Sequence, residues 1–264
     1  MSSVEERSVA VVSGGSRGMG LAIAARLSRD GARVAILGRS PGSLEEANDH
    51  LQRTGATEVL ALEADVTDEA AVIGAFERIA GAWGKVNVLV NAVGPSGSGR
   101  FDDSNDRLWQ DSFDQGVMSA VHCIRYGLPL LRNASWARIV NLTALSTKHQ
   151  TPGLVAYTAA KAALASLTKN LARTLGPEGI LVNAVAPGAV LTEPIRRAVE
   201  GAGGDPDDPR DAYRVMSERY GSAIDLGRVG LPDEIAEVAA FCASPQNSYM
   251  TGATLNVDGG SDYS

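Results

Sequence analysis

Tyr157 and Lys161 stand four residues apart in VAYTAAKAAL, separated only by the small residues Thr158, Ala159 and Ala160. On a helix that spacing brings both side chains to one face. A phenol has an ordinary pKa near ~10 and is a poor base at neutral pH unless a neighbouring ammonium favours its phenolate. Tyr157 as general acid or base, with Lys161 as its helper, would suit proton transfer at a substrate oxygen. An exposed helical pair shows the same spacing, so the elements around it decide.

A second cluster lies near the amino terminus. The stretch SGGSRGMG, Ser13 to Gly20, follows an apolar run and opens an amphipathic one. Gly14, Gly18 and Gly20 permit a tight turn, close approach of a pyrophosphate to the backbone, and close helix packing, while the helix N-terminus offers unpaired N–H groups to the phosphates. Ser16, Arg17 and Met19 belong to the same turn. The next apolar run, RVAIL, ends at Gly38-Arg39-Ser40. A ribose 2′-hydroxyl usually meets an Asp or Glu there, and a 2′-phosphate an Arg. No acid is present, and Arg39, joined by Arg17, offers guanidinium donors suited to phosphate. NADP(H) is therefore favoured as cofactor over NAD(H), the alternative being two solvated surface arginines.

The elements that must carry these groups follow from periodicity. Short β-branched runs predict strands over 9–12, 33–37, 59–65, 86–93, 138–144, 181–186 and 253–257. Longer amphipathic runs predict helices over 17–30, 43–53, 68–82, 106–132, 153–175 and 232–244. VAVV and VNVLV are apolar without strict alternation, the mark of strands covered on both faces. The expected fold is α/β: a single doubly wound Rossmann domain over 1–264, with a mostly parallel seven-stranded sheet and helices on both faces. Two segments break the rhythm, the loop GPSGSGR at 94–100 and the turn-rich excursion at 192–228. Ligands in such sheets bind beyond the carboxyl ends of the strands, so the excursion is a candidate substrate lid, or else a solvated insertion.

Composition removes other classes. With 24 Lys plus Arg against 31 Asp plus Glu, the net charge of −7 disfavours nucleic acid and anionic membrane as partners. No apolar run is long enough to span a bilayer. MSSVEERSVAVV lacks a basic start and a long apolar centre, and is not expected to be a secretory signal. Cys123 and Cys242 sit in apolar helical patterns, which suggests a reducing cytoplasm rather than a disulfide framework. His50 and His122 form no ligand spacing, and no metal is expected. Lys148 and His149 read as a solvated loop pair.

Taken together, the chain resembles the short-chain dehydrogenase/reductase family over essentially its whole length, and is similar to its 3-oxoacyl-acyl carrier protein reductase-like members. SGGSRGMG resembles the family's glycine signature. Ala64-Asp65, followed by Val66, is similar to the pair that contacts adenine. NAVG, from Asn91 through Ala92 to Gly94, is similar to the NNAG motif, with Ala92 in place of the second Asn. YTAAK matches the catalytic YxxxK, and APGAVLT, carrying Pro187, Gly188, Val190 and Thr192, resembles the motif lining the nicotinamide pocket. TGATLNVDGG resembles the usual final strand. The resemblance implies hydride transfer between nicotinamide and a small carbonyl or alcohol substrate. It assigns Tyr157 the proton and Lys161 the nicotinamide ribose hydroxyls as well, and it implies a homodimer or homotetramer.

Two positions depart from that pattern. The family's serine, thirteen residues before the tyrosine, is Ala144 here, and its helix asparagine, matched against WQDSFDQGVMS, is Gly116. Thr143 should point to the other side of the sheet. Ser146 could swing toward the carbonyl, and a glycine at 116 could keep a helix bend. Losing one preorganised donor costs about 3 to 4 kcal/mol if nothing replaces it. The departures keep in view an enone or enoyl reductase, and a non-redox protein that acts as a dehydratase or a dinucleotide-binding scaffold.

Overall fold

β1 (Val9–Ser13), VAVVS, is buried at every position, as a strand must be when helices cover both faces. Its companions are β2 (Arg33–Gly38), β3 (Val59–Glu63), β4 (Val88–Asn91), β5 (Ala137–Leu142), β6 (Ile180–Pro187) and β7 (Thr254–Val257). The computed structural model describes residues 7–56, 58–221 and 223–261. Residues 1–6, part of the stretch read for a secretory signal, and position 222 of the excursion lie outside them. The strands form one sheet in the order β3-β2-β1-β4-β5-β6-β7. Every pairing is parallel, so the sheet is wholly rather than mostly parallel. Strand order reverses between β1 and β4, which opens a crevice at their carboxyl ends.

The helices are α1 (Gly18–Arg29), α2 (Pro41–Arg53), α3 (Glu69–Trp83), α4 (Asp106–Phe113), α5 (Ser119–Arg132), α6 (Val155–Leu175), α7 (Glu193–Gly201), α8 (Pro209–Tyr220) and α9 (Pro232–Ala243). One face of the sheet packs with Ile23 of α1, Leu44 and Leu51 of α2 and Ile235 of α9. The other packs with Val72, Phe76 and Ile79 of α3, Cys123 and Ile124 of α5 and Leu164 of α6. Local chemistry sets the boundaries. Ser40 Oγ accepts from Ser43 N at 3.4 Å and Pro41 takes the first turn of α2, while Asp68 caps α3 and Gly84 closes it at φ 69°.

Three expectations need correction. The stretch 106–132 is α4 and α5 joined by a π-turn over Asp114–Met118, where Gly116 sits. The excursion at 192–228 is not irregular, because Glu193-Pro194 starts α7 and Asp208-Pro209 starts α8. These two helices bury Val199, Ala212 and Val215 with Leu191 in a small core of their own. β3, β4 and β5 stop short of the expected 65, 93 and 144, since the chain turns into the crevice loops there. Among the described residues, no helix is long and apolar enough to cross a membrane.

Candidate active site

Because all strands run one way, the loops after β1, β2, β3, β4, β5 and β6 emerge on one edge, and the sequence-derived site residues lie in them, at the strand ends that enter them (Asn91 of β4, Pro187 of β6) or in the first two turns of the helices they feed. The turn after β1 is made of backbone. Gly14 and Gly18 take positive φ of 71° and 55°, and Gly14 N donates to Leu37 O at 2.9 Å. A Cβ on Gly14 would meet Val93 Cγ2 at 3.0 Å, and one on Gly20 would sit on the Gly14 carbonyl oxygen. No side chain caps α1. The first N–H groups of α1, with Ser16 and Met19 half-buried beside them and Arg17 exposed, face the loop edge. Those Cβ atoms would strike the protein itself, so glycine is what lets the turn close, and the side-chain-free N–H groups at the start of α1 fit a pyrophosphate.

Beyond β2, a Cβ on Gly38 would meet Ser16 Oγ at 3.0 Å, so the first two loops touch. Arg39 is exposed and pairs with Asp65 at 3.7 Å, a contact the sequence did not suggest. Asp65 Oδ1 also accepts from Thr67 N at 3.0 Å and Thr67 Oγ1 at 2.7 Å, which ends β3 in a turn. Val66 is buried, its carbonyl 3.2 Å from His122 Nδ1.

β4 and β5 carry the floor. Asn91 is buried, and its amide donates to Asn141 Oδ1 at 2.8 Å rather than facing the crevice. Asn141 Nδ2 donates to Thr168 Oγ1 at 2.9 Å, tying both strands to α6. Ala92 N donates to Ser13 O at 3.1 Å. One turn past Tyr157, the buried Lys161 Nζ donates to Leu142 O at 2.7 Å and Val93 O at 3.2 Å. A Cβ on Gly94 would come within 3.2 Å of that nitrogen, so glycine makes room for it.

The electrostatics differ from expectation. Lys161 was expected to lower the phenol; instead burial pushes the half-buried Tyr157 above its ordinary value. Burial also lowers the Lys161 amine to about 8, so the cation is itself weakened.

Thr143 Oγ1 donates to Val185 O at 3.1 Å, so its hydroxyl is committed to the backbone of β6. Ala144 presents only a buried methyl, and Ser146 Oγ accepts from Thr158 Oγ1 at 3.2 Å. At Gly116 a Cβ would meet Ala160 Cβ at 2.8 Å and Pro95 Cγ at 3.1 Å. The place of the missing asparagine is thus closed by packing, and the π-turn keeps the bend. After β6, Gly188 N donates to Val257 O at 3.0 Å and Val190 bridges to Gly230. Pro187 ends β6, and Thr192 reaches back so that its Cγ2 would lie 3.7 Å from a Cβ on Gly18. Lys148 and His149 are exposed. Asn141, Thr168, Pro95 and Leu142 escaped the sequence reading, since their partners come from distant segments.

The family profile matching residues 14–262 is described as Enoyl-(Acyl carrier protein) reductase. A short-chain reductase, NovJ of Streptomyces niveus, is 34% identical over 257 residues, covering 97% of this chain and 95% of that one. The NADPH-bound short chain oxidoreductase of Pseudomonas aeruginosa PAO1, described as containing an atypical catalytic center, superposes with a TM-score of 0.89 at 32% identity, over 96% of both chains. L-Sorbose reductase from Gluconobacter frateurii, complexed with NADPH and L-sorbose, gives 0.90 at 27% identity over 98% of each.

Proposed function

Because the chain belongs to the short-chain dehydrogenase/reductase family, we propose that it is an NADP(H)-dependent enzyme that reduces a carbonyl group or oxidises the matching alcohol. The observation that carries this reading is the convergence on one edge of the sheet of a side-chain-free phosphate cradle and the Tyr157–Lys161 pair. The turn of Gly14, Ser16, Arg17, Gly18, Met19 and Gly20 would hold the pyrophosphate, Arg39 the 2′-phosphate, and Asp65 and Val66 the adenine. Asn91, Ala92 and Gly94 shape the floor, Lys161 holds ribose hydroxyls, and Pro187, Gly188, Val190 and Thr192 flank the nicotinamide. An exposed Arg39 with no acid at Gly38 supports the phosphorylated cofactor, as do two similar structures that hold NADPH.

When bound, the reduced cofactor supplies a hydride. Burial raises the phenol, so Tyr157 would serve as the acid that gives its proton to the substrate oxygen in reduction and takes it back in the reverse reaction. Lys161, lowered to about 8, keeps most of its charge at neutral pH, and its bonds to Leu142 O and Val93 O fix its height beneath the ring of loops. α7 and α8 serve as the substrate lid. Free, buried Cys123 and Cys242 agree with a cytoplasmic enzyme, and assembly into dimers or tetramers is part of the proposal.

Ala144 and Gly116 favour one second reading, reduction of an enone or enoyl thioester, where a donor at the strand end matters less. The test follows NADPH and NADH absorbance with ethyl 3-oxobutanoate, L-sorbose and 2-cyclohexenone. Ketone turnover with NADPH is expected, and Tyr157→Phe should lower it by about a hundredfold to ten-thousandfold. Turnover of the enone alone would select the second reading. Undiminished turnover in the Tyr157 variant would remove that residue from its role.

A further inference from the structure

We propose that Ser146 is a catalytic residue that replaces the hydroxyl missing at Ala144, and that Thr158 positions it; the inference rests on the carbonyl-reducing reading above. Three hydroxyls follow β5 and two are committed. Thr143 Oγ1 donates to Val185 O at 3.1 Å and Thr147 Oγ1 to Ala144 O at 2.9 Å. Ser146 differs: its oxygen accepts from Thr158 Oγ1 at 3.2 Å, which leaves its own O–H to donate elsewhere. The half-buried side chain retains one open side.

Its position is held from two directions. The 3₁₀ turn Leu145–Thr147 is closed by Thr147 N to Ala144 O at 3.2 Å and Lys148 N to Leu145 O at 2.8 Å. Thr158 is the residue after Tyr157 in the first turn of α6, where its N–H donates to Leu154 O at 2.8 Å. The bridge therefore ties the strand-end turn to the turn that carries the acid. The hydroxyl stands two residues beyond Ala144, on a 3₁₀ turn held against the helix that carries Tyr157.

In reduction the bound reduced cofactor would supply a hydride to the carbonyl carbon, and the π pair would move to oxygen. That oxygen would take the Tyr157 proton to give the alcohol, and the phenolate left behind would regain a proton from solvent. Ser146 keeps its proton throughout, donating a hydrogen bond that strengthens as negative charge builds on the oxygen.

Steady-state kinetics with NADPH and whichever of the three panel substrates turns over fastest decide the matter, beside NADPH affinity from fluorescence titration. Ser146→Ala should lower kcat about a hundredfold or more with NADPH affinity unchanged. Thr158→Val should lower kcat about tenfold in the wild-type background but add nothing in the Ser146→Ala background, and Thr158→Ser should restore it. Adding Ala144→Ser to Ser146→Ala should recover activity. If the wild type is active and Tyr157→Phe is not, while Ser146→Ala keeps kcat within about twofold, this inference fails and the reading beneath it stands. If no carbonyl is reduced at all, both fall.

Discussion

The turn after β1 and the turn after β5 do the same topological work, each carrying a strand into a helix at the crevice, yet they are built from opposite materials. The first is built around glycines that let the chain close on itself: a Cβ on Gly14, Gly15 or Gly20 would press on Val93, Ile36 or the Gly14 carbonyl. The second consists of hydroxyls, one bonded to β6, one to its own turn and one to Thr158. A site made of backbone tolerates no relocation, because the contacting atoms are the chain itself. A site made of side chains can lose a group at Ala144 and offer a similar one nearby.

The sharpest way to break this contrast is Gly20→Ala. Its methyl would occupy the Gly14 carbonyl, so a loss of about 3 kcal/mol or more in stability is expected, with NADPH binding lost, by urea denaturation and fluorescence titration. Unchanged affinity would mean that the cradle yields, contrary to its close packing. Next comes Gly116→Asn, which restores the family's residue on paper. With Ala160 Cβ 2.8 Å from the new Cβ, it should cost about 1 to 3 kcal/mol and fail to raise kcat. A more active, equally stable variant would show that the second region is an unfilled gap rather than a repacked one.

The smallest expected effect concerns Lys161. Its amine is lowered from 10.5 to about 8 by burial. Below about pH 8 both folded and unfolded chains carry the proton, and the folded one bears a buried cation. Between about 8 and 10.5 only the unfolded chain binds it, so stability rises with pH through that window. Thermal midpoints at about pH 7.5 and pH 9.5 should show that rise in the wild type and its absence in Lys161→Met. The same rise in both proteins would assign it to other groups.

The sheet and most helices were legible because apolar runs such as VAVV announce strands buried on both faces. The tight turn after β1 was legible for a related reason, since Gly14 and Gly18 take the positive φ that such a turn needs. What escaped depends on contacts between distant segments. The π-turn at Gly116 reflects the approach of Ala160 and Pro95, which no local pattern records. α7 and α8 were hidden by GAGGDPDDP, whose turn residues separate two short helices instead of marking one long loop. The direction of the Tyr157 shift was misread because spacing along a helix places a lysine nearby but says nothing of how dry both groups are.

Arg39 leans on Asp65 across 3.7 Å at the rim of the sheet. On the proposed reading, a phosphate arriving there would not meet a waiting cation; it would have to draw one away from a resident anion. Discrimination between the two coenzymes would then be the difference of two attractions to one guanidinium, smaller than a solitary arginine would give and eroded by salt on both sides.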